Sequence, residues 1–298
     1  MQQVIVGKDD AIENTLICLV ANGHLLIEDV PGIGKTTLVQ ALAKSVNLSF
    51  KRIQFTPDLM PADVTGFNLY NPALGQFVFQ PGAAMSNIIL ADEINRTSPK
   101  TQSALLEAMQ ESQVTVDSIS YPLEKPYMVL ATQNPIEHLG TYPLPEAQLD
   151  RFMMKIDLGY PTKEEEVDIL SVNTKNRTVD NLEPVCSRTD VLWMQAQLDD
   201  VYIKNEIKEY VVDLVRQTRT RKEILIGASP RASQMLMKAA MSRALIKGRD
   251  FVLPEDVKAL ATKVLSHRIV LKQDRYLETT DAEKIVFSIL ENTPIKTK

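Results

Sequence analysis

Short apolar runs alternate with helical periodicity through the first half of the chain. The runs at residues 25–28, 50–55, 88–91, 128–132 and 153–158 read as strands. Several are continuous rather than alternating, which is the pattern of strands covered on both faces. Between them, residues 36–46 and 99–110 carry apolar positions at helical spacing. In the second of these Ala104, Leu105, Ala108 and Met109 form the stripe, and Ser98-Pro99 supplies a cap and a first-turn proline. Such alternation predicts a parallel sheet with helices on both sides. Two segments interrupt it. Residues 67–70 and 76–79 flank Asn71-Pro-Ala-Leu-Gly75, and residues 113–117 precede 120–123, so each pair reads as an inserted β-hairpin.

After Tyr160-Pro161 the pattern changes. Helical periodicity dominates at residues 162–172, 205–218, 230–247 and 254–266, with almost no strand signal. Ser229-Pro230 and Pro254-Glu255-Asp256 have the composition of helix starts. A boundary near residues 158–162 is expected, with an α/β domain over 1–159 and a smaller all-α domain over 160–298.

Composition refines this picture without redirecting it. The 298 residues are 44% apolar and 24% charged, ordinary values for a folded chain. A formal charge of −5 argues against a dedicated nucleic-acid binder, which would carry a basic surplus. Cys18 and Cys186 match no metal or redox spacing, Cys18 falls in an apolar run that predicts core, and so few cysteines suit a reducing compartment. His24, His138 and His267 show no metal-ligand spacing and read as structural, and Trp193 reads as a core or domain-interface residue. There is no secretory pattern at the start and no run long enough to span a bilayer, so a cytoplasmic protein with no membrane insertion is expected.

The chemistry begins where the first strand ends. His24-Leu-Leu-Ile-Glu-Asp-Val-Pro-Gly-Ile-Gly-Lys-Thr-Thr37 runs from strand through a glycine-containing loop into a helix. That order is what a phosphate-binding loop requires. Gly32 and Gly34 let backbone N–H groups approach phosphate oxygens, and the following helix adds its positive end. Lys35 is placed to reach the β- and γ-phosphates, and Thr36 to join the shell of a magnesium ion. Asp29 stands where the general pattern has its first glycine. Aspartate tolerates left-handed backbone, so the turn remains feasible.

A second acidic element belongs with this loop. Ile88-Ile-Leu-Ala-Asp-Glu93 is an apolar strand ending in two carboxylates. With the loop on an adjacent strand, Asp92 can hold magnesium and Glu93 can polarise an attacking water. Asn134 follows another buried strand, where it reads either as a plain Asn-Pro turn or as an amide that positions that water. Arg151, in Leu149-Asp-Arg-Phe152, reads by itself as a surface residue, and Arg231, in the first turn after Ser229-Pro230, as either a solvated cation or a functional one.

These five features in this order resemble an AAA+ ATPase, and specifically its MoxR family. The resemblance runs from Ile5-Val-Gly7 to His267-Arg-Ile269 and is carried most specifically by residues 52–66, Leu90-Ala-Asp-Glu-Ile-Asn-Arg96, residues 99–109 and Gly227-Ala-Ser-Pro-Arg-Ala232. The Glu-Asp-Val-Pro-Gly form of the loop, with Asp29, is similar to a variant within that family. The resemblance implies a five-stranded P-loop sheet sandwiched by helices, with hairpin insertions and a helical lid. It implies ATP and Mg2+ as ligands. Pro31, Gly32, Ile33, Gly34, Lys35, Thr36 and Thr37 would be Walker A, Asp92 and Glu93 Walker B, Asn134 sensor 1 and Arg231 sensor 2. Arg151 would be an arginine finger, and Ile5, Val6 and Gly7 would lie against the adenine.

As implied by the same family, the partners are other copies of the chain in a hexameric ring and a protein client. The client is expected to include, or to work with, a von Willebrand factor A domain on a separate chain. A finger acting across subunits would make hydrolysis depend on assembly. Two other readings compete: a nucleic-acid motor, against which the acidic balance stands, and a nucleotide-gated scaffold, against which Glu93, Asn134 and Arg151 stand.

Overall fold

Apolar runs that no solvent-facing position interrupts must be covered on both sides, and this chain builds a sheet from them. The computed structural model describes residues 1–30, 32–134, 141–174, 178–272 and 281–295. The order begins with α1 (Asp9–Val20), β1 (Leu25–Glu28), α2 (Lys35–Ser45), β2 (Phe50–Gln54) and α3 (Pro61–Thr65). It continues through the hairpin β3 (Gly66–Asn71) and β4 (Gln76–Pro81), then β5 (Ile88–Asp92) and α4 (Pro99–Glu111). A second hairpin, β6 (Gln113–Val116) and β7 (Ile119–Pro122), precedes β8 (Met128–Gln133), α5 (Glu146–Leu149) and β9 (Met154–Ile156). The rest is α6 (Lys163–Thr174), α7 (Arg188–Gln197), α8 (Asn205–Gln217), β10 (Ile224–Ile226), α9 (Pro230–Ile246), α10 (Pro254–Leu265), β11 (Val270–Leu271) and α11 (Ala282–Asn292).

The chain packs as two compact units. One comprises Met1–Leu16, His24–Leu144 and Ile156–Leu192; the other comprises Ile17–Gly23, Pro145–Lys155 and Trp193–Lys298. The main sheet has five strands in the order β2-β5-β8-β1-β9, with parallel pairing at β2–β5, β5–β8 and β8–β1. This corrects one expectation: the acidic strand is not adjacent to β1, because β8 lies between them. Two inter-strand spacings separate β1 from β5, about 9–10 Å. The end of β8 therefore sits between loop and carboxylates.

The three inner strands are fully buried from Leu25 to Ile27, Ile88 to Ala91 and Met128 to Ala131. β2 departs from that pattern. Only its Ile53 is buried, because β2 is a sheet edge with polar residues facing out. His24 proves structural: its Nδ1 accepts from the Val129 amide at 3.1 Å, so its Nε2–H donates to the Met109 carbonyl at 3.1 Å. The two hairpins form as expected and touch each other, with Phe79 stacked on Tyr121 at 3.8 Å between ring centroids and Asn68 donating to Asp117 at 2.7 Å.

In the second unit, α8 buries Ile207, Tyr210, Val211 and Leu214, and α9 buries Leu236, Ala239 and Ala240. α10 adds Val257, Leu260 and Val264, and α11 adds Val286 and Ile289. A short antiparallel ladder of β10 with β11 supplements these helices. Asp256 is completely buried at the start of α10, where it accepts from Arg243 at 2.6 Å, from both Arg249 nitrogens at 2.7 and 2.8 Å, and from the Leu253 amide at 2.8 Å. Cys18 is buried as expected, and burial raises its thiol pKa. Trp193 is not core: it is 62% exposed. Val191 is the buried residue of α7, and two positions further on a helix turns about 200° away.

Candidate active site

The loop after β1 is organised by Asp29 in a way its backbone tolerance did not suggest. Asp29 does not take up left-handed backbone. Its carboxylate instead accepts three amides: Val30 at 2.9 Å on Oδ1, and Leu158 and Gly159 at 2.7 and 2.8 Å on Oδ2. The Asp29 amide donates to the Gln133 carbonyl at 3.2 Å, which joins the loop to the end of β8. A carboxylate accepting several N–H groups is a strong anchor. Glycine could not supply it.

Gly32 and Gly34 have φ of 87° and 92°, and Gly34 caps α2. A Cβ built at either glycine would meet nothing within 4 Å. The glycines therefore supply backbone freedom, and the space before them is open. Lys35 begins α2 and its ammonium donates to the Asp29 carbonyl at 2.9 Å. Thr36 and Thr37 follow in the same turn.

A cavity of about 530 Å3 adjoins this loop. Val6, Gly32, Ile33, Gly34 and Thr37 line it, together with Ile5, Tyr160, Pro161 and Ile169. That volume and its apolar wall suit a purine nucleoside. Gly7 does not line the cavity. It turns the chain at φ 71°, and a Cβ there would collide with the Glu165 carboxylate.

At the end of β5, Thr132 of β8 organises the acidic pair. It is fully buried, donates its hydroxyl to Asp92 Oδ1 at 2.7 Å and accepts from the Glu93 amide at 2.8 Å. Glu93 has left-handed backbone, φ 57° and ψ 51°, a conformation a non-glycine residue holds only where its surroundings fix it. Arg52 pairs with Asp92 Oδ2 at 2.6 Å. Glu93 Oε2 accepts from Gln54 at 2.9 Å and pairs with Arg96 at 3.2 Å. Asn134 is buried just beyond β8.

Sequence reasoning missed Thr132, Arg52, Gln54 and Arg96. For Arg96 a signal was available, since it lies three residues after Glu93 and one turn brings the two together. For Arg52 and Gln54 the alternation of an edge strand put both on one face, but only the β2–β5 register sets Gln54 opposite Asp92.

The residues present fit a magnesium nucleotide: positive-φ glycines before a helix start, an ammonium, a hydroxyl and a carboxylate at one end of the sheet. Thr36 and Asp92 would hold the metal. Arg151 and Arg231 lie in the second unit, Arg151 half-buried after α5 and Arg231 exposed in the first turn of α9. Pro31 and His138 lie outside the described residues. Among the described residues there is no cluster of metal-ligating side chains of the His/Cys/Asp/Glu type.

Comparison with known proteins agrees with this geometry. Residues 24–154 match the profile of the ATPase family associated with various cellular activities (AAA), and residues 216–286 match the AAA lid domain. The chain is 51% identical to the uncharacterised protein YeaC of Bacillus subtilis over 97% of this chain and 91% of that one. It is 40% identical to Chaperone MoxR1 of Mycobacterium tuberculosis over 99% of this chain and 80% of that one. A crystal structure of a candidate ATPase from Cytophaga hutchinsonii superposes with a TM-score of 0.92 at 44% identity, covering 99% of this chain and 92% of that one.

Proposed function

This chain belongs to the MoxR family of AAA+ ATPases, and from that premise we propose that it hydrolyses ATP and uses the energy to remodel a protein client. The observation that carries the reading is the conjunction, at one end of the sheet, of the Gly32–Gly34 loop with the Thr132-braced pair Asp92 and Glu93. In this reading Lys35 exchanges the Asp29 carbonyl for the β- and γ-phosphates. Magnesium on Thr36 and Asp92 would neutralise charge developing on the transferring phosphoryl group. Glu93 orients and polarises the attacking water, its carboxylate steadied by Gln54 and Arg96, and Asn134 supplies a second contact to that water.

Arg231 is proposed to sense the γ-phosphate. Arg151 is proposed to enter the site of a neighbouring subunit in a hexameric ring, where such fingers are worth about 10³–10⁵ in rate. The β3–β4 hairpin supports a protein client. From Gly66 to Gly82 it contains no charged residue, and Phe67, Leu69, Tyr70, Leu74 and Phe77 are exposed. A surface without lysine or arginine cannot track phosphates, whereas an apolar protein segment suits it. A von Willebrand factor A domain protein is the proposed client or co-factor, and the cytoplasm the proposed compartment. Among the described residues, no helix is long and apolar enough to cross a membrane.

Glu93→Gln tests the assignment. It should bind ATP with near-native affinity and turn it over at least about 10²-fold more slowly, as loss of a general base does. Near-normal hydrolysis would remove Glu93 from its role.

A further inference from the structure

The segment carrying Arg151 is held by one buried guanidinium. Arg268 follows α10, and its side chain is 1% exposed. Its Nε donates to Asp150 Oδ1 at 2.8 Å. Its two terminal nitrogens reach the carbonyls of Asp150 at 3.3 Å and Met153 at 3.1 Å, and those of Phe152 and Val264. The groups on either side of Arg151, at positions 150, 152 and 153, therefore all converge on one side chain. His267 adds a contact to the Phe152 carbonyl at 3.1 Å. The other oxygen of Asp150 accepts from Ser229 at 3.2 Å, two residues before Arg231.

Five donors in a rigid planar fork fix the backbone they bind far more closely than an ammonium would. The turn at 148–152 is closed by i to i+3 bonds from Arg151 and Phe152 and by the Asp150 amide on the Glu146 carbonyl at 3.0 Å, and the Arg268 guanidinium then fixes the backbone on either side of the half-buried Arg151. We propose that Arg268 and Asp150 are positioning residues that aim Arg151, and that Asp150 couples that aim to the helix start bearing Arg231. This rests on the reading of Arg151 as a finger acting on a neighbouring subunit. In that reading Arg268 touches no reacting atom; it sets where one does. A displacement of about 1 Å at a reacting group costs about 10²-fold in rate.

The test uses mixed assemblies of the full chain, recovered through a tag on one variant so that both are present. Arg151→Ala is the control. It should lose turnover and regain part of it when mixed with Lys35→Ala subunits, which keep an intact Arg151. Asp150→Asn has nearly the same shape and retains one acceptor. It should bind a fluorescent ATP analogue normally, lose about 10²-fold in kcat, and recover with Lys35→Ala to the extent that Arg151→Ala does. Adding Asp150→Asn to Arg151→Ala should cost little more, since both remove one function. Arg268→Lys keeps the charge but not the fork, and should fall between.

If Arg151→Ala recovers in mixtures and Asp150→Asn does not, the clamp is merely structural and the inference is overturned. Full kcat in Asp150→Asn where Arg151→Ala has none would overturn it equally. If Arg151→Ala itself fails to recover, the shared-site reading falls first and takes the inference with it.

Discussion

The sharpest consequence of the structure concerns Thr132, one hydroxyl that serves both acidic residues. Thr132→Val preserves shape and removes the oxygen. The Glu93 amide then loses its acceptor at 2.8 Å, and Asp92 loses a donor at 2.7 Å. An orphaned buried N–H costs about 1–3 kcal/mol, and the lost bond to Asp92 is partly offset by Arg52 and water at a carboxylate 13% exposed. A net loss of about 1–3 kcal/mol follows, seen as a fall of about 2–4 °C in Tm per kcal/mol. The kinetic effect is larger. Without Thr132 the left-handed Glu93 peptide loses its hydrogen bond to β8, and a shift of about 1 Å in that carboxylate lowers kcat about 10²-fold. KM for ATP should change little, since the loop from Asp29 to Thr37 is untouched. Thr132→Ser is the control: it gives up about 0.8 kcal/mol of methyl burial but keeps the hydroxyl and the turnover. Thermal melts and steady-state ATPase assays decide. Equal loss of kcat in the valine and serine variants, or none in the valine variant, would refute the reasoning.

Three further outcomes are expected. Asp29→Ala strands the Leu158 and Gly159 amides, costs about 2–4 kcal/mol, and weakens nucleotide binding by calorimetry; unchanged affinity would deny the carboxylate its anchoring role. Gly34→Ala meets open space but must hold φ 92°, so about 1–2 kcal/mol of backbone strain should appear as weaker ATP binding, and native affinity would show that the loop relaxes freely. Acid should destabilise the second unit in two windows. Burial, and then Arg268, hold the His267 pKa well below 6.5, so the unfolded chain takes the proton first and stability falls as pH drops below about 6.5. Burial pushes Asp256 up, but Arg249, the Leu253 amide and Arg243 together bring it below 3.8, so its contribution is lost as pH falls through that lowered value. In urea titrations across pH, His267→Gln should flatten the upper window and leave the lower one intact.

What neighbouring residues decide together could be read along the chain. The runs at 25–28, 88–91 and 128–132 were legible because burial on both faces demands uninterrupted apolar residues. The loop from Asp29 to Thr37 was legible because a left-handed turn before a helix demands glycine. Helices α1, α3, α5, α7 and α11 were not read, and α7 shows why: its single buried residue, Val191, leaves no apolar stripe to count. Tertiary structure alone decided that β8 lies between β1 and β5, that Asp29 is an anchor rather than a tolerant turn residue, and that Thr132 and Arg268 brace the acidic pair and the Arg151 turn. The long-range partners in those contacts lie 39 to 130 residues apart. Periodicity records which face of an element is buried, but not which distant atom meets it; strand order and packing settle that once the chain has closed.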